Sequence, residues 1–87
     1  YTIAFCVEGK GMSSEQFSGL ISKVSDNGKK ICFIIGSFYG LDENIKAFAD
    51  LNLSVSKMTF PHQLFRVMCL EQIYRAFKIS EGGTYHK

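Results

Sequence analysis

The sequence predicts an α/β fold, a parallel sheet flanked by helices. Two observations carry this. Wholly apolar runs of strand length stand at 1–7 (YTIAFCV) and 31–35 (ICFII). Such runs suit strands buried on both faces of a parallel sheet. Between and after them lie segments with helical spacing and capping residues, joined by short connections. Alternation of this kind argues for strands in parallel with helices packed across them. With 87 residues the chain holds one domain, 1–87. A domain of this size buries a modest share of its surface and often needs a partner.

The first strand is expected over 1–7 and is broken by Glu8-Gly9-Lys10-Gly11. Ser13 and Gln16 then fit a capping box, in which each side chain satisfies the other's backbone amide. Phe17, Leu20, Ile21 and Val24 recur at helical spacing and give one apolar face. Asn27-Gly28 ends that helix, because Gly tolerates the left-handed cap. The second strand is 31–35, and a loop over 36–40 follows. A short helix over 41–49 starts near Asp42, and a third, part-polar strand covers 51–55. The loop 56–60 leads into a helix from Pro61 to about Ile79; Pro suits a first turn, where a missing amide costs nothing. That last helix is apolar almost all round, so it must be covered on two sides. The sheet covers one side, and a second copy of the chain is expected on the other.

Composition narrows the function classes. The net charge of +2 does not by itself announce a nucleic-acid partner, which needs clustered Lys and Arg. Cys6, Cys32 and Cys69 sit in apolar runs without CxxC spacing. They read as reduced, buried small side chains rather than a disulfide framework or a metal site. No apolar run reaches the roughly 18 residues of a membrane helix. No metal, no membrane and a cytoplasmic location are the expectations. The chain starts directly on an apolar run at Tyr1, which reads as a cut from a longer protein.

Four constellations could carry chemistry. The loop Gly36-Ser37-Phe38-Tyr39-Gly40 follows a buried strand, where ligands of open α/β sheets bind. It is neither GxGxxG nor a P-loop, and taken alone it reads as an ordinary turn. The loop Val55-Ser56-Lys57-Met58-Thr59-Phe60 offers backbone groups and apolar walls to a ligand. Taken alone, it reads as the entry to a helix with Thr59 capping. Arg66, Glu71, Arg75 and Lys78 lie on the last helix. Glu71 and Arg75 stand four apart in the favourable order, which makes a solvated pair the plain reading. Arg66 and Arg75 nonetheless interrupt an apolar surface, where a charge is paired or functional. The ending Tyr85-His86-Lys87 reads alone as a frayed tail.

The ordered string Leu53-Ser54-Val55-Ser56-Lys57-Met58-Thr59-Phe60-Pro61-His62-Gln63-Leu64, then Arg66-Val67, Glu71-Gln72, Tyr74-Arg75-Ala76, Ile79 and Tyr85-His86-Lys87, changes these readings. It closely resembles the C-terminal half of the ribosomal RNA large subunit methyltransferase H group of SPOUT, or knotted, methyltransferases. The resemblance covers nearly all of this chain. It implies a C-terminal trefoil knot, with the N-terminal part of the family fold absent from this chain. It implies an S-adenosyl-L-methionine-dependent enzyme that methylates N3 of a pseudouridine in large-subunit (23S) rRNA, working as a homodimer. The cofactor residues it implies are Phe5, Gly36, Val55, Ser56, Lys57, Met58, Thr59 and Phe60. Phe5 stands where the family usually has Leu, Cys6 where it has an acidic residue, and Ser37 replaces the second Gly of the family's IGG loop. The resemblance implies a tail that borders the catalytic face, so His86 and Arg75 are the expected catalytic residues, with one subunit's tail closing the other's site. His62 is expected to be structural. The alternative is a non-catalytic dimerisation or ligand-binding module that keeps the last helix and has lost the chemistry. A flavodoxin-like nucleotide binder lacks a phosphate-loop signature here.

Overall fold

The structure, a computed structural model, describes residues 1–36 and 41–82. Its elements are β1 (Thr2–Gly11), α1 (Ser14–Asp26), β2 (Cys32–Ile35), α2 (Glu43–Phe48), β3 (Leu51–Ser54) and α3 (His62–Ser80). The three strands pair in parallel in the order β2-β1-β3. The predicted α/β class and its parallel sheet are therefore present in the described residues.

β1 is the central strand. Successive side chains of a strand point to opposite faces. Ile3, Ala4, Phe5 and Cys6 are all buried in succession, so both faces of β1 are covered. Phe5 centres a three-ring cluster. Its centroid lies 6.3 Å from Phe17 of α1, edge to face, and 6.2 Å from Phe33 of β2, stacked. Phe17 and Phe33 close the triangle at 6.3 Å. Each contact falls within the geometry aromatic pairs favour.

α1 begins as predicted. Ser13 Oγ accepts from the Gln16 amide at 3.1 Å, and Gln16 Oε1 accepts from the Ser13 amide at 2.9 Å. It ends at Asn27, with Gly28 at φ +74°. α2 is capped by Asp42, whose Oδ1 accepts from the Asn44 amide at 2.8 Å. α1 and α3 run alongside each other through a row of hydroxyls. Ser14 bonds Gln72, Ser18 bonds the Ala76 carbonyl, and Ser22 bonds Ser80. Both members of each pair advance by four residues, so the two helices are parallel.

Several expectations need correction. Residues 8–11 do not break β1. The strand continues to Gly11, but Phe5 and Lys10 both pair with Leu53, so residues 6–9 bulge between them. Gly9 makes this possible: a Cβ there would lie 2.7 Å from the Asn52 carbonyl. Cys32 is exposed rather than buried, because β2 is an edge strand in the described residues and none of its residues is fully covered. Pro61 stands at the N-cap of α3, one residue before the first turn, and Thr59 does not cap it. On α3, Cys69 and Ala76 are buried, whereas Leu64, Val67, Leu70, Tyr74 and Phe77 are exposed.

Candidate functional site

The order β2-β1-β3 sends the connection from β1 to one side and the connection from β2 to the other. Such a reversal opens a crevice at the carboxyl ends of the two diverging strands, here β1 and β3. A cleft of about 220 Å³ lies there. Met12, Ser13 and Ser14 line it beyond β1, and Leu53, Ser54 and Val55 at the end of β3, with Gln72 of α3 alongside. Ligand pockets commonly span roughly 300–1,000 Å³, so this cleft by itself is smaller than a usual ligand site.

The register brings the predicted cofactor residues to the same edge. Phe5 pairs with Ile35 on one side and Leu53 on the other. Gly36 follows Ile35, and Val55 follows Leu53 by two residues. Thus Gly36 and the 55–60 loop leave the carboxyl ends of the two strands that flank Phe5, although these residues are spread over more than fifty positions of chain. The Phe5 ring is 1% exposed and locked in the aromatic cluster. Its place at the edge is therefore a backbone place, and its side chain supports the floor.

The loop is shaped by its serines. Ser54 Oγ donates to the Ser56 carbonyl at 2.9 Å, and Ser56 Oγ accepts from the Met58 amide at 3.0 Å. Val55, Ser56 and Phe60 are half-buried, while Lys57, Met58 and Thr59 are exposed. The Met58 side chain is 73% exposed. Lys57 sends its ammonium backward, to carbonyls of the β1 bulge. Cys6 lies beside the same bulge. Burial pushes its thiol above the ordinary value, and the Glu8 carboxylate adds to the rise. Glu8 in turn is paired with Lys46 of α2, which lowers the carboxyl and raises the ammonium.

Met58 and Phe60 give the loop apolar side chains, and Lys57 is its one basic residue.

Arg75 is far along α3 from the 55–60 loop, though only three residues beyond the cleft residue Gln72. It lies 13 residues beyond His62 on α3, or about 20 Å along the helix axis. Its guanidinium makes a bidentate pair with Glu71, Nε to Oε1 at 3.1 Å and Nη2 to Oε2 at 3.2 Å. Arg66 is exposed on the same helix, and Lys78 reaches over the Tyr74 ring. Ser37, Phe38, Tyr39 and Gly40 of the first predicted loop lie outside the described residues, as do Tyr85, His86 and Lys87.

Reading the sequence missed Met12, Ser14, Ser54 and Gln72 as cleft residues. Only Gln72 left a signal, as a polar residue on an otherwise apolar helix face.

A parallel α/β sheet with its cleft at the carboxyl edge defines a ligand-binding α/β domain. Its sequence matches, over residues 1–86, the family described as "Predicted SPOUT methyltransferase". The chain belongs to the SPOUT methyltransferase family. It is 53% identical over 88 residues to the Ribosomal RNA large subunit methyltransferase H of Clostridium botulinum (strain Langeland / NCTC 10281 / Type F), a match covering 100% of this chain and 55% of the relative. The proteins of the same name from Clostridioides difficile (strain 630) and Streptococcus equi subsp. zooepidemicus (strain MGCS10565) are 48% and 49% identical, with the same coverage. The resemblance to the methyltransferase H group is borne out. The chain spans about half the length of the curated relatives it matches, 55%.

Proposed function

We propose that this chain is the cofactor-binding part of an S-adenosylmethionine-dependent methyltransferase acting on large-subunit rRNA, at N3 of a pseudouridine. The observation that supports the reading is that Gly36 and the 55–60 loop leave the carboxyl ends of the two strands flanking Phe5, with Val55 lining the cleft beside β3. The names of the relatives favour rRNA as the substrate class. The reading includes the family's trefoil knot and a cytoplasmic location. No helix of the described residues is long and apolar enough to cross a membrane.

In this reading the backbone of residues 55–60, with Met58 and Phe60 as apolar walls, would hold the adenine. Gly36 lets the backbone of its loop come close, since it has no Cβ. The bound cofactor supplies a methyl group on a sulfonium, open to in-line displacement. The chain contributes mainly position, which is worth much of the rate in a reaction between two oriented partners. The N3 proton must leave, and His86 takes it or Arg75 stabilises the anion left behind.

Arg75 stands about 20 Å along α3 from its own loop. It also stands only three residues beyond the cleft residue Gln72 of its own chain, and in this reading the tail serves the site of a second subunit. The exposed stripe Leu64, Val67, Leu70, Tyr74 and Phe77 is the surface on which that subunit sits. Exposed apolar patches of this kind mark interaction sites.

Titration calorimetry of the protein with S-adenosylmethionine tests the reading. Binding is expected, and Gly36→Val abolishes it because a branched side chain intrudes on the ligand. Absence of heat at millimolar cofactor, with binding of a phosphate-bearing dinucleotide instead, overturns it.

A further inference from the structure

The one cation of the 55–60 loop turns away from the site. Lys57 Nζ donates to the Gly9 carbonyl at 2.6 Å and the Val7 carbonyl at 3.3 Å. Both carbonyls belong to the bulge of β1, where the ladder to β3 skips from Phe5 to Lys10. Bulged residues lose ladder partners, so their backbone groups need others. A charged donor supplies a stronger bond than a neutral one.

The bulge is anchored on two further sides. Gly9 lies so close to the backbone of Asn52 and Leu53 that a Cβ would sit 2.7 to 2.8 Å from them. Glu8 is ion-paired with Lys46 of α2. Lys57 thus ties the exposed tip of the loop, residues 57–59, to a part of the sheet that is itself held on two other sides.

We propose that Lys57 is a positioning residue whose side chain acts as a strut, fixing the 55–60 loop against the β1 bulge in the shape that receives the cofactor. This rests on the reading of the loop as the S-adenosylmethionine site. The ammonium is engaged with the Gly9 and Val7 carbonyls. It raises the fraction of molecules whose loop is ready to bind, and apparent affinity scales with that fraction.

Lys57→Met and Lys57→Arg, made in the intact protein, test the strut by calorimetry with S-adenosylmethionine and by amide hydrogen exchange. Lys57→Met is expected to weaken binding by about 10-fold or more. Exchange should quicken at 54–60 and stay unchanged in α1 and α3, and saturating cofactor should restore protection. Lys57→Arg keeps charge and donors and should return affinity to within about threefold of the unmutated protein. An unchanged affinity together with unchanged exchange in Lys57→Met overturns the proposal. Faster exchange throughout the molecule also overturns it, since Lys57 would then support the fold rather than the loop. If the unmutated protein binds no S-adenosylmethionine, the reading of the site fails. The local exchange at 54–60 still decides whether the strut exists.

Discussion

Ser18 Oγ donates a 2.9 Å hydrogen bond to the Ala76 carbonyl, and both residues are buried. The bond sets the depth at which α3 lies beside α1. A methyl at position 76 lets the α1 hydroxyl reach the α3 backbone, and the flanking pairs Ser14–Gln72 and Ser22–Ser80 hold the same register. Since α3 follows directly on the 55–60 loop, its docking also positions the far end of the site.

Ser18→Ala should therefore lower stability by about 1 kcal/mol, the net worth of one such bond. Ser18→Leu should cost about 1–3 kcal/mol in overpacking, because the two helices must separate. Urea denaturation followed by circular dichroism checks both. A leucine variant as stable as the alanine one would show that the helices have room to spare.

The glycines of β1 separate by position. At Gly9 an added Cβ meets backbone atoms at 2.7 Å, whereas at Gly11 nothing lies within 4 Å. Gly9→Ala is expected to cost about 1–3 kcal/mol, as forced backbone shifts do. Gly11→Ala should stay within about 0.5 kcal/mol, as surface changes do. Thermal melts of the two variants side by side make the comparison.

The three cysteines should differ in reactivity. Cys32 is exposed, while Cys6 and Cys69 are buried. Burial pushes the Cys69 thiol to about 11. Iodoacetamide on the folded 87-residue chain should label Cys32 alone, and all three after denaturation. The same burial gives a pH dependence. In the unfolded chain the thiol ionises near 9.0, and in the folded chain near 11. The contribution of Cys69 is thus fully present below pH 9 and declines as the pH rises from 9 to 11. A Cys69→Ala variant should lose less stability over that range.

The apolar stripe on α3 should govern association. Val67 is 61% and Leu70 54% exposed in the single chain. Lys at either position should break a dimer and leave the fold intact. Met68 is half-buried, so Met68→Lys should cost the fold as well, because it buries a charge. Analytical ultracentrifugation with circular dichroism distinguishes these outcomes. A monomeric unmutated protein at micromolar concentration refutes the dimer.

Deleting residues 85–87 from the full-length protein should spare cofactor binding and remove turnover. Groups that act only in the transition state leave ground-state affinity unchanged. Methylation of ribosomes should fall by about 100-fold or more, the usual worth of a general base. Affinity for S-adenosylmethionine should stay within about threefold. Full activity after the deletion removes His86 from the mechanism.

Short-range instructions were legible in the chain itself. The capping box of Ser13 and Gln16, the Asn27-Gly28 stop and the Asp42 cap each act within a few residues, so local chemistry decides them. The apolar run of β1 likewise announced a strand covered on both faces. The segment 53–64 read as a candidate site only through its resemblance to the family.

Distances along the chain decided the rest. Gly9 reads locally as a strand breaker, yet the backbone of β3 beside it requires a glycine. Cys32 belongs to an apolar run, but strand order put that run at an edge. Lys57 reads as one more residue of a ligand loop, while its ammonium finds carbonyls 48 and 50 positions back. Ser14 and Gln72, 58 apart, meet at the cleft. Propensity and capping arise from neighbours in sequence, so the sequence alone determined the order of the elements and the caps of α1 and α2, but not the end of β1. Burial, close approach and the partners of charges arise from neighbours in space, and only the packed sheet and helices decided those.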